Sequence, residues 1–120
     1  MRESFIIKLP TYACTVQVII CDGDIRNEIN KIYKKHKVDE KYTESVAGLA
    51  LSFNMSKHYI FYHIDHLTHN TIAHELYHIT RSLTEERDIK EEESQAWMIG
   101  YLTEEVYKHI EKKKLNIKHG

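Results

Sequence analysis

A chain of 120 residues that is 42% hydrophobic, 10% aromatic and 29% charged fits one globular domain spanning residues 1–120, not a disordered or fibrous chain. Seventeen Lys plus Arg against eighteen Asp plus Glu leave a formal net charge of −1, so no overall basic field exists to draw in nucleic acid. No segment has the length and apolarity of a membrane span or of a signal peptide. With two cysteines read as reduced, this points to the cytoplasm.

Phe5 to Leu9 reads as a short strand ended by Pro10, and Tyr12 to Cys21, rich in β-branched residues, as a longer one. Cys14 and Cys21 are seven residues apart on that strand and so fall on opposite faces, which disfavours a disulfide between them. Asp22-Gly23-Asp24 supplies turn and N-cap chemistry. Ile25, Ile29, Ile32 and Tyr33 then recur at helical spacing to about His36. Val38 to Ser45 is a polar connection. Val46 to Phe53 and His58 to Ile64, separated by Asn54-Met55-Ser56-Lys57, read as a hairpin. Thr68 to about Thr84 is a second helix with Ile72, Leu76, Ile79 and Leu83 as its apolar stripe. A third runs from about Ile89 to Lys113, with Ile99, Leu102, Val106 and Ile110 facing inward. The order β-β-α-β-β-α-α predicts an α+β fold, a small mixed β-sheet with helices packed on it.

The second helix contains His74-Glu75-Leu76-Tyr77-His78, an HExxH sequence. Four residues is about one helical turn, so both imidazoles leave the same side and can grip one ion. With Ile72 set to zero on a 100° wheel, the apolar stripe falls within about 40° of it, and His74 and His78 fall at roughly 200° and 240°. Histidines buried for packing would sit on the stripe; these sit where a cleft would be. A catalytic zinc site has three protein ligands and an open position. The extended metzincin motif is excluded, because Arg81 stands where its Gly would be and Thr84 where its third His would be.

With Glu91-Glu92-Glu93-Ser94-Gln95-Ala96 opening the following helix, the chain resembles gluzincin-type zincin metallopeptidases. It also looks like the short zincin-like proteins of bacteriophages and prophages. The resemblance covers roughly the second half and implies a minimal zincin-like fold, with an active-site helix followed by a glutamate-bearing helix. It implies Zn2+ held by His74, His78 and Glu93, the glutamate that satisfies Glu-x-x-Ala, with Glu92 as the alternative. Small residues at Ala96 and Gly100, on the side of Glu93, would let the two helices approach closely. Glu75 would be the general base.

The resemblance also implies a peptide or protein substrate lying along the edge strand that precedes the active helix, the place occupied by His58 to Ile64. A Tyr or His would stabilise the oxyanion, Tyr101 first, with Tyr59, Tyr62 and His63 also candidates by type. Tyr77 points off the histidine face and reads as packing. His63, His66 and His69 read as loop histidines, with a rival metal site as the alternative. The leading function is therefore a zinc-dependent peptidase. A zincin-derived protein-binding module without turnover is the main alternative, and a zinc hydrolase of nucleic acid a weaker one.

Overall fold

The computed structural model describes residues 1–119, in which four strands and three α-helices form an α+β domain. Strands β1 (Arg2–Leu9), β2 (Cys14–Cys21), β3 (Gly48–Ser52) and β4 (Lys57–His63) make one sheet in the order β1-β2-β4-β3. β1 pairs antiparallel with β2, β2 parallel with β4, and β4 antiparallel with β3. The parallel β2/β4 pair at the centre is bridged by α1 (Ile25–Lys35) and then β3. Both central strands are covered on both faces. This is why Val16 to Cys21 and Tyr59 to Tyr62 carry few polar side chains.

α1 starts where Asp24 caps it, its carboxylate accepting the Arg26 backbone N–H at 3.0 Å. Ile25, Ile29 and Ile32 pack with Ile19, Tyr59 and Phe61 on one face of the sheet. Helices α2 (His69–Glu86) and α3 (Glu92–Lys112) cover the other face, where Ile72, Leu76, Ile79, Leu83, Met98, Leu102, Val106 and Ile110 meet Phe5, Ile7, Val16, Val18, Ile60 and Tyr62. Cys14 and Cys21 lie buried in these two separate cores, both as free thiols.

Thr68 caps α2, its hydroxyl accepting the Thr71 N–H at 3.0 Å; of the three residues with capping chemistry there by sequence, Thr68, His69 and Asn70, it is the first that serves. α3 begins at Glu92, three residues later than the periodicity suggests, because the chain turns through Asp88 at φ 52° with Ile89 N–H donating to Thr84 O. Its buried stripe contains Met98 where Ile99 was expected. No helix among the described residues is long and apolar enough to cross a membrane.

Two sequence expectations fail, one on strand order and one on a strand boundary. β4, read as the edge strand, is interior, and β3 is the edge next to α2. Strand β2 begins at Cys14, because Pro10 to Tyr12 form a 3-10 turn that closes the β1/β2 hairpin through Ala13 at φ 52°.

Candidate metal centre

Residues 74–78 lie in the middle of α2, which packs its Ile72/Leu76/Ile79/Leu83 stripe onto the sheet and turns His74 and His78 outward. Their Nε2 atoms are 3.2 Å apart. Two imidazole nitrogens at 2.0–2.1 Å from one tetrahedral ion would stand roughly 3.3 Å apart, so the pair already has the bite of such an ion. His74, Glu75 and His78 together form a group that could hold a metal ion, with ligand atoms within 4.8 Å of one another. The Glu75 carboxylate is 3.9 Å from His74 Nε2. That is about 0.6 Å wider than a tetrahedral edge, so it suits a neighbour of the ion better than a ligand.

Glu75 is buried at the boundary between the apolar stripe and the histidine face. Burial raises its pKa above the ordinary carboxylate value, and His74, His78 and the Ala50 backbone amide pull it back down.

β3 supplies the other wall. His63 N–H donates to Ala47 O and Phe53 N–H donates to Lys57 O, and bonded pairs alternate along an antiparallel ladder. Leu49 and Leu51 therefore turn their peptide groups toward β4, while those of Gly48, Ala50 and Ser52 point out from the open edge. At Gly48 strand and helix approach closely: a Cβ there would lie 3.2 Å from Glu75 Cγ, Thr71 Cγ2 and Phe61 O. Between β3 and α2 runs a cleft of about 610 Å³ lined by Gly48, Leu49, Ala50, His74, Glu75, Tyr77, His78, Arg81, Ser82 and Glu85. A cavity of about 270 Å³ continues it past His74 to Val46, Asn70 and Thr71.

The structure does not bring the other expected residues here. Glu93 is exposed on the first turn of α3 and outside the His74/Glu75/His78 group. α3 runs antiparallel to α2, with Tyr107 OH 2.6 Å from His69 Nδ1 at one end and Gln95 sharing a cavity with Thr84 at the other. Glu93 thus lies beside the last turn of α2, roughly 10 Å along the axis from His78. Ala96 and Gly100 are exposed, and a Cβ at Gly100 would meet nothing within 4 Å, so they mark no close helix approach. The Met98/Leu102/Val106/Ile110 stripe makes the contact and leaves Glu93 roughly 160° away from its centre. Glu92, in the same turn, is exposed as well.

Tyr101 donates to Lys8 O at 3.0 Å and stacks on Trp97, at the β1 side of the sheet. That is three strand spacings, about 14 Å, from β3. Tyr59 OH meets His36 Nε2 at 2.7 Å on the α1 face, and buried Tyr62 donates to Ile72 O at 2.9 Å. His63 Nδ1 accepts the Asp65 N–H, and His69 meets Tyr107. Neither joins a metal-competent group among the described residues. Tyr77, expected to pack, is half exposed and lines the cleft.

Arg81 and Glu85 are cleft residues that the motif alone does not mark. Continuing the same helical wheel would have found them at roughly 180° and 220°, on the histidine face. Fold and site together define a small α+β protein with a His/Glu/His group at an open strand edge. No family model, curated protein sequence or solved structure matches the chain.

Proposed function

We propose that this protein is a zinc-dependent peptidase in which His74 and His78 hold the metal and Glu75 is the general base. The observation that carries the reading is the 3.2 Å Nε2 pair on an exposed helix face beside a buried carboxylate. Zinc at such a site supplies Lewis acidity and makes hydroxide accessible near neutral pH. Glu75 takes the proton of the attacking water and returns it to the leaving amine. The outward peptide groups of Gly48 and Ser52 and the Ala50 carbonyl can pair with an extended peptide, while the Ala50 N–H serves Glu75, so that strand addition lays the scissile bond beside Glu75. Free, buried Cys14 and Cys21 favour a reducing compartment such as the cytoplasm.

The position of Glu93 favours a second reading, a protein-binding module of zincin ancestry that holds metal weakly and does not turn over. Metal content of the wild type, Glu75→Gln, His78→Ala and Glu93→Ala separates the two, together with peptide-library hydrolysis. One zinc per chain in wild type and Glu75→Gln, lost in His78→Ala, with hydrolysis lost in Glu75→Gln, is the expected result. Glu93→Ala decides whether α3 supplies a third ligand. Wild type without stoichiometric metal would defeat the peptidase reading.

A further inference from the structure

Arg81 is the one Lys or Arg among the described residues that line the cleft and its continuation past His74. It stands three residues beyond His78, roughly 20° from His74 and 60° from His78 around α2, and about 4.5 Å further along the axis. Its guanidinium therefore shares the histidine face, one turn from the candidate metal pair.

The group is held in place. Nε donates to Glu85 Oε1 at 3.0 Å, Nη2 donates to the same oxygen, and Nη1 donates to Tyr77 OH at 3.2 Å. A guanidinium has five N–H donors, so one remains on each terminal nitrogen for a carboxylate to accept. The Arg81 and Glu85 side chains are 56% and 63% exposed, so their pairing is screened by solvent and adds little to stability. Its geometry places the guanidinium between Tyr77 and Glu85 on the cleft side of α2.

We infer that Arg81 is a specificity determinant that binds a carboxylate of the peptide lying in the cleft. The inference rests on the peptidase reading above. Two sources supply the same chemistry, an Asp or Glu side chain near the scissile bond or the free C-terminus of a short peptide. The opposite wall, Gly48, Leu49 and Ala50, is neutral and offers the peptide no other cation, so a peptide carboxylate competes only with Glu85 for the guanidinium.

The test uses zinc-supplemented Glu75→Gln protein, which reads binding without turnover, and three fluorescent heptapeptides of one neutral sequence. One is amidated, one amidated with a central Glu, and one carries a free C-terminal carboxylate. At least one carboxylate peptide should bind about tenfold tighter than the neutral one, a difference of about 1.4 kcal/mol. Adding Arg81→Gln should abolish that preference and leave the neutral peptide unchanged, and the peptide that responds identifies the source. Equal binding of all three, equal weakening of all three by Arg81→Gln, or no binding overturns the inference. Zinc content of the same samples keeps the two failures apart. Stoichiometric zinc without carboxylate preference removes only the role of Arg81, whereas absence of zinc removes the metal reading too.

Discussion

Replacing Gly48 by Ala inserts one methyl group into the close approach of β3 to α2. The new Cβ would sit 3.2 Å from each of three heavy atoms, Glu75 Cγ, Thr71 Cγ2 and Phe61 O. Carbon contacts are comfortable at about 3.5–4.0 Å, so all three sides are crowded by a few tenths of an ångström. Phe61 O belongs to the interior strand β4 and cannot yield without moving the sheet. Overpacking of this kind costs about 1–3 kcal/mol, offset by about 0.4–1 kcal/mol from the narrower unfolded ensemble of Ala. A net loss of about 1–2 kcal/mol follows. At about 2.1 cal/mol/K per residue, the unfolding entropy of a chain this long converts that to a Tm lower by about 4–8 °C. Of the three neighbours, the Glu75 side chain is the most movable, so any peptide hydrolysis should fall further, toward the hundredfold that an ångström of misplacement costs. Zinc binding by His74 and His78 should persist. A melt followed by circular dichroism, alongside zinc titration, reads both effects. A Tm equal to or above that of wild type would show that the strand and helix are not this close, and the reasoning would fail at its geometric root.

Zinc at about a hundredfold its Kd should stabilise the wild type by about 2.7 kcal/mol, and an equal shift in His78→Ala would place the metal elsewhere. Arg87→Ala should lower stability by about 2–3 kcal/mol in denaturant melts, because its guanidinium donates to Leu83 O, Tyr12 O and Met55 O from a side chain only 10% exposed. A change below about 0.5 kcal/mol would mean these carbonyls find water instead. Burial lowers the pKa of His58, whose Nδ1 meets Ser52 Oγ at 2.7 Å, and Glu86 only partly opposes this. The unfolded chain then binds the proton more readily, so stability should be flat above the unfolded value of about 6.5 and decline as pH falls below it. His36 and His109, also lowered by burial, act in the same direction. Only part of the slope should disappear in His58→Gln, and an unchanged pH profile of Tm would refute the assignment to His58.

What was legible in the sequence was local. Thr68 and Asp24 announce their helices because a cap needs only three or four neighbouring residues, and the HExxH face follows from a single helical wheel. The rank of β3 and β4 was not legible as an alternation pattern, because strand order depends on long-range pairing. One sign was present: Tyr59-Ile60-Phe61-Tyr62 is a continuous apolar run, as a strand covered on both faces requires, whereas β3 is only partly covered. Glu93 illustrates the other limit. Its spacing to Ala96 suits a helix contact, but the buried stripe passes through Met98 instead of Ile99. Because Leu102, Val106 and Ile110 belong to both stripes, that exchange moves the centre by only about 25°, and Glu93 lies far from it either way. Gly48, a lone glycine in a strand, is the kind of residue that marks a close backbone approach, and it was readable as such.

Every residue lining the main cleft between β3 and α2 falls within residues 48–86, one contiguous stretch of hairpin and helix. Its walls are joined by short connections, so bringing them together requires little loop closure. The β2/β4 pairing, by contrast, must close over all of α1 and the connection that follows it. Such a chain can assemble the mouth of its cleft early and dock β1 and β2 behind it later. Folding kinetics should show high φ-values in the β3/β4 hairpin and α2 and low ones in β1. The reverse pattern would mean that the N-terminal hairpin is the nucleus, and that the cleft takes shape only on a finished sheet.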